Sequence, residues 1–264
     1  MTTDETLIRR FGPVLRAGIR AGTTVDEDCA SVHAEVMHQL CLADGLLELL
    51  DWTRQGLGAD PLACLWLGSL RWHRLLVGRF PEGAPEPPSR AVDSGLEDLL
   101  RGRRPRFWTD PETGETSRAG LASGEMAYPG APAQPRLADP IGLVRLVPLA
   151  LVPYVEESMR AGWTGQALSL TQGHPQLHSD ARRLISLVHG LAAEASPGQD
   201  LVERSTAQAR QIMGGADDVA VAVVLAQVRA AAGCEVDDGH PPSDLETLVE
   251  TSLVTPWREI TAPA

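Results

Sequence analysis

The chain has no lysine. All 23 of its cationic side chains are arginine, set against 35 aspartates and glutamates, and the formal charge is −12 at pH 7. That excess works against sequence-independent binding to nucleic acid or to an anionic membrane, both of which need clustered cations. Long apolar runs are missing as well. None approaches the ~20 residues a membrane helix requires, and Met1 to Arg20 is charged throughout, unlike a signal peptide. The expected location is the cytoplasm. Cysteine is sparse, with Cys29, Cys41, Cys64 and Cys234 scattered and no CxxC pair. Cys41 and Cys64 fall in apolar helical runs and read as small buried hydrophobes in a reducing compartment. Strand-rich regions and internal repeats are also lacking, so the expected class is all-α.

What is present supports a large core, since 43% of the 264 residues are apolar, and disorder throughout is excluded. Behind Thr3-Asp4-Glu5, the positions Leu7, Ile8, Phe11, Val14, Leu15 and Ile19 predict a first helix. Pro13 is expected to kink or divide it and Gly22 to end it. The acidic run Asp26-Glu27-Asp28 precedes a strong helix from about Ser31 to Thr53, and another follows Pro61 as far as Leu76. From Gly78 to Pro140 only Val92 to Arg101 keeps a helical period. PEGAPEPPS and PGAPAQP are proline-rich, and WTDPETGETS reads as turns or a short hairpin. This stretch reads as a long excursion over one helical body, because neither flank encloses a core alone.

Ile141 to Tyr154 is apolar apart from Arg145. Pro148 and Pro153 disfavour a strand there, so a buried helix or a pair of short ones is expected. An unpaired buried charge is costly, and Arg145 must have a partner. Two readings stay open for it: a structural salt bridge, or contact with a phosphate or carboxylate. In GQALSLTQGHPQLHSDARRLISLVHGL, residues 165–191, a polar turn separates two helical runs. Gly173 allows a positive φ, Pro175 starts a helix, and the helix N-terminus suits an anion or a sugar hydroxyl. The plainer alternative is a helix–helix turn in which His174 caps a neighbouring backbone group. Leu201 to Met213 and Val219 to Ala232 predict two helices joined at Gly214-Gly215. Ala216-Asp217-Asp218 opens the second, its acids complementing the helix dipole. A short helix over Leu245 to Leu253 and a packed Trp257 follow.

Five of these segments, taken in order, carry a resemblance: LCLADGLLELL at 40–50, LRWHRLL at 70–76, VRLVPLALV at 144–152, LTQGHP at 170–175 and MGGADDVAVAVVLA at 213–226. Together they resemble the ADP-ribosylglycohydrolases over roughly Ser31 to Gly233. The resemblance implies one domain over residues 1–264, a multi-helix bundle with an irregular excursion at about 78–140. In the family, two magnesium or manganese ions serve the removal of ADP-ribose from modified side chains or related compounds.

The departures are specific. Where the family has Thr-Asp-Asp-Thr, this chain has His33, Ala34, Glu35 and Val36. Where it has Gly-Asp-Thr-Asp-Thr, the chain reads Gly215, Ala216, Asp217, Asp218, Val219. Glu35 and Asp218 keep an acidic oxygen in register, and His33 and Asp217 are displaced candidates. Asp139-Pro140-Ile141-Gly142 stands in place of a glycine-rich loop, Gln172 replaces the first histidine of Thr-His-Gly-His-Pro, and no Gly-Asp-Ala-Leu-Gly segment occurs in the first thirty residues. So few hard ligands are a poor cage for two ions, and at most one divalent metal, magnesium or manganese, is expected. The first expectation is a protein without the dimetal hydrolytic site that binds ADP-ribose or a nucleotide-like small molecule. Arg145, Gly173, His174, His33 and Asp217 are its candidate binding residues. The second is a metal-poor enzyme that cleaves or rearranges an N-glycosidic bond, with Glu35 or Asp218 as acid or base. The third is a helical protein-interaction module. Neither nucleic acid nor membrane is an expected partner, and the oligomeric state stays open.

Overall fold

The computed structural model describes residues 2–26, 29–103, 105–235 and 242–262, so Glu27 and Asp28 of the acidic run lie outside it. Its axis is α2, Ala34–Arg54. Every residue from Ala34 to Leu49 is buried, which requires packing partners on all sides of the helix. One is α3, Pro61–Val77, which approaches unusually closely. A Cβ on Gly45 would lie 2.5 Å from the Cys64 carbonyl oxygen, and one on Gly68 2.5 Å from that of Cys41, so each helix sets a glycine against the other's backbone. The second partner is a 3-10 helix, Pro140–Leu151, started by Asp139 and Pro140 and buried along its length from Gly142. Gln39 Nε2 donates to the Val144 carbonyl at 2.5 Å, and its Oε1 accepts from Gln227 Nε2 at 2.7 Å. This chain of amides ties the 3-10 helix through α2 to α9, Asp218–Ala231.

α1, Thr3–Ala21, packs along α9. Thr2 and Glu5 form its capping box, and it runs undivided through Pro13. Phe11 stacks on Trp257, ring centroids 3.8 Å apart. The remaining helices are α4 (Ala91–Arg101), α5 (Glu115–Leu121), α6 (Glu157–Ser169), α7 (Pro175–Ala193), α8 (Gln199–Ile212), α10 (Ser243–Val249) and α11 (Thr255–Ile260). A π-helical turn, Glu250–Val254, joins the last two.

The structure is mostly helical, with two departures from the sequence reading. The helix expected from Ser31 begins only at Ala34, because Cys29–Val32 is a strand paired antiparallel with Thr23–Asp26. Trp108 adds a parallel bridge beside Ser31. Of the two alternatives for WTDPETGETS, turns or a hairpin, the stretch takes the turn, a 3-10 turn at Pro111–Gly114, and departs from the reading where it runs on into α5. Asp110 caps that turn through the Glu112 N–H. The 78–140 excursion is anchored, since Val92, Leu96, Phe107 and Leu121 join the apolar core. Among the described residues no helix is long and apolar enough to cross a membrane.

Candidate functional site

The starts of α2 and α9 meet. His33 caps α2, its Nδ1 accepting from the Glu35 N–H at 3.2 Å. Asp217 caps α9, its Oδ1 accepting from the Ala220 N–H at 2.8 Å. The two caps also touch each other, His33 Nε2 lying 3.2 Å from Asp217 Oδ2 across 184 positions of sequence. A backbone N–H only donates, so Nδ1 is the acceptor nitrogen and the ring hydrogen on Nε2 faces the carboxylate. The hydrogen bond from His33 holds the Asp217 carboxyl below its ordinary pKa, aided by the N–H groups of Ala220 and Val219 against the effect of partial burial.

The protein itself uses the first donors of α2. His33 N–H donates to the Gly22 carbonyl, Ala34 N–H to Thr113 Oγ1, and Trp72 Nε1 reaches the Ala34 carbonyl. What this junction offers to the outside is carboxylate: the Asp217 side chain is 42% exposed while that of His33 is almost covered, and Asp218 is exposed. Trp108, 49% exposed, pairs through its backbone with Ser31, two positions before His33.

Glu35 and Arg145, both expected at a ligand, are instead sealed together in the core with no exposed surface. Arg145 Nη1 lies 3.6 Å from the Glu35 carboxylate. Its guanidinium also donates to Ser117 Oγ, the carbonyls of Gly142 and Ala167, and Thr171 Oγ1. Of the two readings of Arg145, this is the structural salt bridge. Burial alone would raise the Glu35 carboxyl, but His38, Arg145 and Ser117 outweigh it and hold the group below the usual carboxylate range. Burial pushes His38 down to about 4, with Arg145 and His73 adding to the effect against the pull of Glu35.

His38 was not legible as a functional-type residue, although it stands one helical turn from Glu35. Its Nδ1 is 3.5 Å from Glu35 Oε2 and its Nε2 is 3.0 Å from Ser69 Oγ. Acid, imidazole and hydroxyl are thus in the order of a hydrolytic triad. All three are completely buried, so no substrate reaches the Ser69 oxygen and the chain serves packing.

Gly173 and His174 belong to a third place. His174 is the cap of α7, accepting from the Gln176 N–H at 3.2 Å, as the helix-turn alternative has it. Gly173 is buried, and a Cβ there would press into Pro132 and come within 3.0 Å of the Ala133 carbonyl oxygen. Close approach of a loop, rather than of a ligand, is what its small size permits. Gln172, in place of the family's histidine, donates to the Asp139 carbonyl at 2.6 Å.

No protein-family model matches this chain, and no curated protein matches it.

The donor set decides the question of metal ions. Among the described residues no three His, Cys, Asp or Glu side chains are grouped so as to hold one. Glu35 is committed to Arg145, which leaves Asp217, held by His33 and the Ala220 N–H, and Asp218 as two hard donors, whereas magnesium takes an octahedral oxygen set. These residues do not fit a dimetal centre.

Proposed function

We propose that this protein is an ADP-ribosylglycohydrolase-like helical protein that binds an ADP-ribosyl or nucleotide-like ligand at the joined starts of α2 and α9, without a dimetal hydrolytic site. One observation carries the reading. The two segments that the resemblance matches to the family's metal-ligand clusters, far apart in sequence, touch through His33 and Asp217. By the resemblance, both caps are in register with threonines of the family's two ligand clusters, beside its carboxylates.

The chemistry of the junction favours the sugar end of such a ligand. Carboxylate oxygens of Asp217 and Asp218 accept hydrogen bonds from ribose hydroxyls and repel phosphate. The pyrophosphate therefore points away from these acids, and the exposed indole of Trp108 offers a face on which a base stacks.

A turnover assay tests the absence of metal-dependent hydrolysis. Purified protein is incubated with ADP-ribosylated arginine in excess magnesium or manganese, and free ADP-ribose is measured. The expected result is no release above that of a protein-free control. Metal-stimulated release would overturn the proposal, and release unaffected by chelator would move it to the metal-poor glycosidase.

A further inference from the structure

A cavity of about 580 Å³ opens between the C-terminal end of α3, the turn that follows it and α5. Its lining includes His73, Arg79, Phe80, Glu82, Glu115 and Arg118. Arginines in this part of the chain otherwise hold acids: Arg74 pairs with Asp93 and Glu97, Arg71 with Glu48, and Arg90 with Asp44. Arg79 and Arg118 do not. Among the described residues neither side chain makes a hydrogen bond or an ion pair, and the buried Nε of Arg118 has no acceptor. Two guanidinium groups without a direct side-chain partner thus line one cavity in a chain whose net charge is −12.

His73 lines the same cavity. It is 6% exposed, and its Nδ1 lies 3.1 Å from the Arg79 carbonyl oxygen. A carbonyl only accepts, so Nδ1 carries the hydrogen and Nε2 of the neutral ring is an acceptor. Burial disfavours protonation of this ring most, the hydrogen bond to the Arg79 carbonyl opposes that, and the guanidinium charges of Arg118 and Arg79 add to the effect of burial. The cavity therefore combines two forked donors, one fixed acceptor and the apolar wall of Phe80.

We propose that this cavity binds a small phosphate monoester, its oxyanion held between Arg79 and Arg118 and its own P–OH donating to His73 Nε2. Guanidinium forks match phosphate oxygens two at a time. The volume suits a small molecule rather than a macromolecular segment. Glu82 and Glu115, on the same lining, repel further phosphates and accept hydroxyl groups, which favours one phosphate over a polyphosphate. The site shares no residue with the His33–Asp217 junction, so either proposal stands without the other.

The test is calorimetry on the full chain with phenyl phosphate, with inorganic phosphate, and with benzyl alcohol as the uncharged control. Wild-type protein is expected to bind one phenyl phosphate saturably, to bind inorganic phosphate more weakly, and to ignore the alcohol. Arg79→Gln and Arg118→Gln should each weaken phenyl phosphate binding by about tenfold or more, the loss of one hydrogen-bonded charge. Arg79 is exposed, so its variant folds even if the Arg118 variant does not. No saturable binding by the wild type, or undiminished binding by Arg79→Gln, would overturn the proposal.

Discussion

Glu35→Gln removes the one anion that, among the described residues, pairs with Arg145 and leaves a guanidinium uncompensated at 0% exposure. A loss of about 3–5 kcal/mol is expected from breaking such a pair, read as a fall in the urea midpoint. Asp218→Asn, on the exposed first turn of α9, should stay within about 0.5 kcal/mol of wild type. A Glu35 variant as stable as the Asp218 one contradicts the structural role. His38 adds a dependence on pH. The unfolded chain takes up a proton near 6.5, and the native imidazole resists until about 4, so stability present above the upper value is lost as pH falls through this window. The full difference corresponds to roughly 3 kcal/mol. Glu35, with its lowered carboxyl, acts in the same direction at still lower pH. Denaturation midpoints between pH 7 and 4 should fall less steeply for His38→Gln, and a parallel fall would contradict the assignment. That Arg145 needs a partner is legible in its apolar run. That the partner is Glu35 is not, because only tertiary packing brings α2 and the 3-10 helix together.

Helices came through from periodicity wherever one face or the whole surface is apolar, and the glycine-ended boundaries at Gly22 and Gly78 are plain in the chain. The hairpin before α2 is hidden for two reasons. The sequence between its strands carries no Asn-Gly or Asp-Gly signal, and its second strand shares an apolar pattern with the helix it precedes. α5 is hidden because a polar, threonine-rich stretch becomes helical only after Asp110 and Pro111 start it. The close crossing of α2 and α3 makes the sharpest prediction at this scale. Gly45→Ala or Gly68→Ala forces a methyl group against a carbonyl oxygen and should cost about 1–3 kcal/mol. Gly190→Ala, in α7 with nothing within 4 Å of the added Cβ, should instead stabilise by about 0.5–1 kcal/mol. Thermal melting of the three variants separates these signs, and a neutral Gly45→Ala would mean that the helices do not cross as described.

Across the whole molecule, the core draws on segments from Leu7 to Trp257, and its packing brings the starts of α2 and α9 together at the surface. His33 and Asp217 were legible as candidates only through the family resemblance. Their mutual hydrogen bond follows from neither residue alone, since each looks like an ordinary helix cap. The central claim is that this junction binds an ADP-ribosyl ligand without metal ions. Titration calorimetry with ADP-ribose in the presence of a strong chelator tests it most directly, run on the wild type and on Asp217→Ala. The account predicts saturable one-to-one binding by the wild type that added magnesium or manganese leaves unchanged, and that Asp217→Ala weakens by about tenfold. Binding that appears only when metal is supplied, or that Asp217→Ala leaves intact, would contradict it.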